Sequence, residues 1–231
     1  MGIISSYCAQ YVAGPSAGNY RPVSARNMSK DYKRDFGGNI VVEDAEYHAS
    51  DDQQMPSYAL AALVPFIREF STAWEPARGE GLLAQALREY LGLQVLETGI
   101  EEDFFTCNPP GPYDVQITNP LWSKKYKWLE RSLEQDWPFA LLLPSKMLFA
   151  AKAICMIEAS NLEIIQVYPR VAYKSVNMET FLESRPQLDS CWLTYKFQIG
   201  RRLTYTYIGD EKKRFLADLR AQRAGQLHLF Q

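Results

Sequence analysis

The chain has 231 residues, 47% hydrophobic and 23% charged, with 13 Gly and 13 Pro. Those proportions describe a globular protein with a sizeable core and exclude a collagenous, repeat-dominated or wholly disordered one. The net charge of −2 argues against coating a polyanion by bulk electrostatics, though a local basic patch stays compatible with it. The longest apolar runs, Tyr58–Ile67 and Phe139–Leu143, are too short to span a bilayer. The N-terminus lacks the basic segment and apolar stretch of a secretory signal. Met1-Gly2 with Ser5 and Ser6 fits a myristoylation pattern only loosely. Cys8, Cys107, Cys155 and Cys191 are scattered, and His48 and His228 are the only histidines. That distribution suits reduced thiols in a cytoplasm (a host's, if the protein is viral). It offers no metal site and little for His-dependent nucleophilic catalysis.

In chain order, residues 1–52 read as an irregular arm. Its first part holds Arg21, Arg26, Lys30, Lys33 and Arg34 against Asp31 alone; acids then accumulate from Asp35 to Asp52. Residues 53–231 read as one domain. Pro56-Ser57 opens a helix through Phe70, interrupted near Pro65. Thr72–Glu75 is a short strand leading into a glycine turn. Leu82, Leu83, Ala86, Leu87 and Tyr90 form a helical face that ends at Gly92. Leu93–Thr98 and Tyr113–Thr118 are strands, and Tyr126, Leu129 and Leu133 mark the next helix. Phe139–Leu143, bounded by Pro138 and Pro144, has the continuous apolar character of a strand buried on both faces. A helix over Lys146–Ala159 and a strand over Leu162–Tyr168 follow. Cys191–Phe197 and Leu203–Ile208 are predicted to close the sheet as a hairpin, before a last helix over Lys212–Arg223. The alternation predicts an α/β fold with a mostly parallel sheet and a late antiparallel hairpin.

Two loops follow strand ends, where a parallel sheet forms its ligand crevice. Glu75-Pro76-Ala77-Arg78-Gly79-Glu80-Gly81 lets the backbone approach a ligand beneath a helix N-terminus, although many plain turns use glycine in the same way. Asn119-Pro120-Leu121-Trp122 joins an amide, a proline carbonyl and an aromatic plane, a set suited to a planar ring bearing an exocyclic amine. Pro120 favours an extended Asn119 that presents its amide. The same loop also reads as a proline-broken connection with a core tryptophan. Lys124, Lys125, Lys127 and Arg131 read as a solvated helix face, with a phosphate track as the sharper alternative.

Trp-Glu-Pro-Ala-x-Gly-Glu-Gly, Asp-Phe-Phe, Tyr-Asp-Val-x-Ile-Thr-Asn-Pro and Pro-Phe-Ala-Leu-Leu-Leu-Pro, in that order over residues 53–208, resemble phage-type N6-adenine DNA methyltransferases. These are class I enzymes that use S-adenosylmethionine. The resemblance implies a Rossmann-like class I fold. It assigns Glu75, Ala77, Gly79 and Gly81 to the methionine end of the cofactor, and Asp103 and Phe104 to its adenine. Gln54, Pro56 and Tyr58 resemble the segment that closes over the cofactor. Asn119, Pro120 and Trp122 would hold the target base, flipped out if the substrate is duplex DNA. The implied partner is nucleic acid, with DNA favoured and RNA left open, reached through the basic segments. Three positions depart from the family: Arg78 replaces a small residue, Gly99 stands where an acid binds ribose (Glu101 and Glu102 are the alternatives), and Leu121 replaces a second proline. Met55 also replaces the usual Thr before Pro56. The alternative function is a catalytically inactive methyltransferase-like protein of viral origin that binds nucleic acid or protein.

Overall fold

The computed structural model describes residues 51, 53–175, 178–184 and 188–228, with side chains to 224, and two short strands nearer the N-terminus. The chain divides into two compact units, Met1–Ala49 and Ser50–Gln231. In the first, β1 (Lys33–Arg34) and β2 (Ile40–Val41) form an antiparallel pair. Apart from Asp51, the rest of the expected irregular arm, including Arg21, Arg26 and Lys30, lies outside the described residues.

The second unit opens with β3 (Gln53–Gln54). The helix expected from Pro56 to Phe70 is a pair of 3₁₀ turns, Ser57–Ala62 and Val64–Phe66. Pro65 lacks the N–H that a continuing α-helix needs, and the bonds Leu63 N to Leu60 O and Phe66 N to Leu63 O keep the tighter winding. Then come β4 (Thr72–Glu75), helix α1 (Leu82–Leu91), β5 (Gln94–Glu97), β6 (Val115–Thr118) and α2 (Lys125–Gln135). After them lie β7 (Phe139–Pro144), α3 (Ala151–Ser160), β8 (Glu163–Tyr168) and β9 (Lys174–Ser175). The chain closes with β10 (Ser190–Tyr195), β11 (Leu203–Tyr207) and α4 (Gly209–His228). Extended backbone at Ala150 separates α3 from a 3₁₀ turn over Ser145–Phe149, so the helix expected from Lys146 is also split.

Seven strands form the main sheet in the order β11-β8-β10-β7-β6-β4-β5, and β10 alone runs against the others. The fold is α/β, with a mostly parallel central sheet. Every residue of β7 is buried, and its side chains alternate between two cores. Ala140 and Leu142 join Leu60, Leu87, Ile165 and Trp192 on one face; Phe139, Leu141 and Leu143 join Leu129, Met156 and Leu193 on the other. Among the described residues no helix is long and apolar enough to cross a membrane.

The expected closing hairpin does not form, because β8 lies between β10 and β11 and pairs with β11 in parallel. The connection bends around the start of β8: Gly200 N–H donates to Glu163 Oε1 at 3.0 Å, and Arg202 O accepts from Ile164 N–H at 2.8 Å. β8 carries Ile164, Ile165 and Val167 and gains by being covered on both sides. β11, with Leu203, Tyr205 and Tyr207 exposed, tolerates the edge.

Trp192 ties β10 to the first 3₁₀ turn, its indole N–H donating to Ala59 O at 3.0 Å inside the core. Trp192→Phe is expected to cost about 2 kcal/mol or more, because it strands that carbonyl and opens a void. A lower urea midpoint with an unchanged m-value would record it.

Candidate active site at the carboxyl ends of the central strands

β4 and β6 are parallel neighbours, so both loops singled out above emerge at one edge of the sheet. A buried contact joins them directly. Glu75 Oε1 accepts the Thr118 hydroxyl at 2.6 Å and the Ala77 N–H at 2.9 Å. Glu75 is completely buried, and its Oε2 has no hydrogen-bond partner among the described residues. Burial pushes its carboxyl up to about 8, against the two hydrogen bonds and with a smaller push from Glu97.

The glycine turn is held by Arg78 N–H on Thr98 O and Gly81 N–H on Arg78 O. Gly79 at φ 51° and Gly81 at φ 79° occupy the left-handed region, and Gly81 leads directly into α1. Gly79 also allows a close approach: a Cβ there would meet the Gln54 amide nitrogen at 2.6 Å. Gln54 Oε1 in turn accepts the Glu80 N–H at 3.4 Å. Glu80 is ion-paired at 2.6 Å with Lys174, the register partner of Gln54 in the β3–β9 pair.

The same strap reaches the second loop. Asn119 Nδ2 donates to Gln53 O at 2.5 Å, and Asp51 accepts the Ser123 N–H at 3.0 Å. Because a carbonyl only accepts, Gln53 dictates which way the Asn119 amide is turned. Asn119 Oδ1 is then a buried acceptor with no partner among the described residues. Leu121 has φ −59°, a value that a proline ring enforces.

The structure therefore brings Gln54, Glu75, Ala77, Gly79, Gly81 and Asn119 together, with Pro120 buried next to Asn119. The other predicted residues make contacts of their own. Pro56 is buried and its carbonyl accepts the Ala59 N–H. Tyr58 lies in the core against Phe215, its hydroxyl accepting the Ala172 N–H at 2.7 Å. Phe104 is buried and stacked on Trp128 at 3.9 Å, in a cluster with Trp74 and Tyr113. Asp103 Oδ1 caps its own turn through the Phe105 N–H. Trp122 donates its indole N–H to Leu142 O at 3.1 Å and meets Tyr173 edge to face.

The acid missed by the sequence reading is Glu97. It closes β5 in register with Glu75, pairs with Arg88, and its Oε2 lies 4.0 Å from the point where a Cβ on Gly81 would sit. Its place as the last acid of a strand beside the glycine turn was the available signal. Two residues on, a Cβ at Gly99 would collide with Glu101 and Arg78, which face each other at 3.6 Å. Arg78 is thus paired with an acid from the next loop, and the Gly99 N–H is taken by Glu102 at 2.9 Å.

No protein-family model and no curated protein matches the chain. Solved structures with a similar fold include the methyltransferase subunit of a type I restriction-modification system from Streptococcus thermophilus. It is 13% identical with a TM-score of 0.46, over 69% of this chain and 48% of that one. A class I S-adenosylmethionine-dependent methyltransferase, so described for Listeria monocytogenes, is 11% identical with a TM-score of 0.49, over 70% and 68%. The 23S rRNA methyltransferase ErmE is 16% identical with a TM-score of 0.38, over 61% and 68%. The chain thus spans about half of the restriction-modification subunit.

Glu75 gives a pH prediction. Its folded pKa of about 8 lies above the ordinary 4.5, so the native state binds more protons across that window. Stability from this group is full below the ordinary pKa and is lost as pH rises through the folded one, at about 1.4 kcal/mol per pH unit. Glu75→Gln mimics the neutral acid and should flatten that decline, as read from urea unfolding over the same range.

Proposed function

We propose that the chain is an S-adenosylmethionine-dependent methyltransferase acting on the exocyclic N6 amine of adenine in nucleic acid, with DNA as the substrate that the sequence resemblance implies. The observation that carries the reading is the Asn119 amide. Its nitrogen is committed to Gln53 O, which leaves its buried oxygen as the free acceptor. An exocyclic amine carries two protons and needs such acceptors.

The cradle fits the cofactor in two respects. Gly79 and Gly81 expose backbone that carries no side chain, and Glu75 Oε2, the oxygen left to carry the proton of the neutral carboxyl, is a buried polar atom without a partner among the described residues. Glu75, Ala77, Gly79 and Gly81 would line the methionine end, and Glu97, rather than Gly99, would face the ribose. Bound S-adenosylmethionine supplies an electrophilic methyl group.

The chain's own residues prepare the acceptor. The amine lone pair is delocalised into the ring and is a poor nucleophile. Hydrogen bonds from its two protons to Asn119 Oδ1 and Pro120 O would favour a pyramidal nitrogen with its lone pair available. Trp122, fixed by Leu142 O and Tyr173, would bear the face of the ring. Orientation and placed dipoles supply the acceleration, without a separate strong base. The Glu75–Thr118 contact sets the spacing between donor and acceptor loops.

Asn119→Ala is expected to lower transfer to an adenine-containing oligonucleotide by about a hundredfold or more. Its affinity for S-adenosylmethionine, read by calorimetry, should stay within about twofold of wild type, since the residue faces the acceptor. Unchanged turnover would remove Asn119 from the mechanism, and a wild-type chain that fails to bind the cofactor would overturn the reading.

A further inference from the structure

An open cavity of about 340 Å³ is lined by Phe105, Lys124, Lys127, Glu130, Arg131 and Glu134. Its volume is roughly ten times a water molecule's share of liquid, ample for a phosphate with part of a sugar. Lys124, Lys127 and Arg131 are spaced three and four residues apart, which places them on one face as the chain passes from the Trp122–Lys124 turn into α2. Lys127 is exposed and Lys124 and Arg131 are half-buried, and all three border the concavity.

The charges are not balanced internally. Glu130 is engaged by Lys152 of α3 at 2.8 Å, and Glu134 stands 3.8 Å from Arg131. With Lys152 included, two cations remain in excess. Arg131 Nε is buried and has no hydrogen-bond partner among the described residues. A guanidinium N–H without an acceptor, two ammonium groups and an aromatic ring suit a phosphate carried on a sugar or base.

We propose that this cavity takes a backbone phosphodiester of the strand whose base enters at Asn119. The inference rests on the methyltransferase reading for the identity of that strand, and on the cavity for the contact. Lys124 ends the turn that follows Leu121, and Leu121 and Phe105 pack against the same aromatic cluster, which links the cavity wall to the loop that carries Asn119. Its contacts carry no base information: they hold the strand in place while the Asn119 loop reads the amine.

The test is binding of a fluorescent single-stranded oligonucleotide by the full chain, followed by anisotropy between about 50 and 200 mM salt. Lys127→Ala is expected to weaken binding about fivefold and to reduce the salt slope by about 0.7. Lys127→Glu should weaken it further, and Lys213→Ala on α4 should leave it within about twofold. Arg131→Lys, which keeps the charge but loses the fork, should fall between wild type and Lys127→Ala. An unchanged slope in Lys127→Ala, or a wild-type chain that does not bind the oligonucleotide, would overturn the proposal. Displacement of the oligonucleotide by inorganic phosphate, beyond the effect of chloride at equal ionic strength, would assign the cavity to free phosphate and overturn the diester. Calorimetry with S-adenosylmethionine separates the two readings. Lys127→Ala should bind it as wild type does, and loss of cofactor binding in wild type would reject the methyltransferase while leaving the phosphate contact standing.

Discussion

A single buried carboxyl organises the functional end of this molecule. Glu75 takes hydrogen bonds from Thr118 and from Ala77, so one side chain spans the end of β4, the start of the glycine turn and the end of β6. A carboxyl with no solvent contact is costly when charged, and burial holds it largely neutral through the ordinary physiological range. The neutral group keeps the two loops in fixed relation without placing an uncompensated charge in the core. The surroundings show how firmly the region is held: Trp74 beside it donates to Thr98, and its ring packs against Phe104 and Tyr113.

Above this frame lies a strap built from three kinds of contact. Backbone pairing joins β3 to β9, an ion pair joins Lys174 to Glu80, and Asp51 binds Ser123. Gln53 and Gln54 thereby touch the acceptor loop and the glycine turn respectively. The strap does more than cover the site, because its carbonyl selects the orientation of the Asn119 amide. The chemistry of that amide is therefore decided by a residue 66 positions earlier in the chain.

Arg78, Gly99 and Leu121 take on local meaning in this setting. Arg78 pairs with Glu101, across the space where a side chain at Gly99 would otherwise stand. The carboxylate beside the glycine turn comes from Glu97, at the end of β5. Leu121 keeps a proline-like φ, and its side chain packs near the aromatic cluster. These three positions thus decide which side chains supply charge and bulk beside the site, while the register of β4 with β5 and β6 fixes the strand ends that carry the loops.

The sequence by itself determined the strand positions, the parallel character of the sheet and the pairing of a glycine turn with an Asn-Pro loop. These follow from local rules: apolar runs such as Phe139–Leu143 demand two-sided burial, and glycine and proline mark where the backbone turns. It also singled out Glu75 and Asn119, whose residue types and positions at strand ends carry chemical meaning, and Gln54 through the resemblance alone. What it could not show depends on contacts between distant segments. Only the tertiary structure decided that β8 enters between β10 and β11, that Pro65 tightens the first helical segment into 3₁₀ turns, and that Phe104 is spent on Trp128. Only there does Glu97 stand beside Gly81, and Gln53 orient Asn119. The physical reason is common to all of these. Hydrophobic periodicity and turn chemistry act over a few residues, whereas strand order, buried hydrogen-bond partners and the choice between two acids are settled by which distant groups burial forces together.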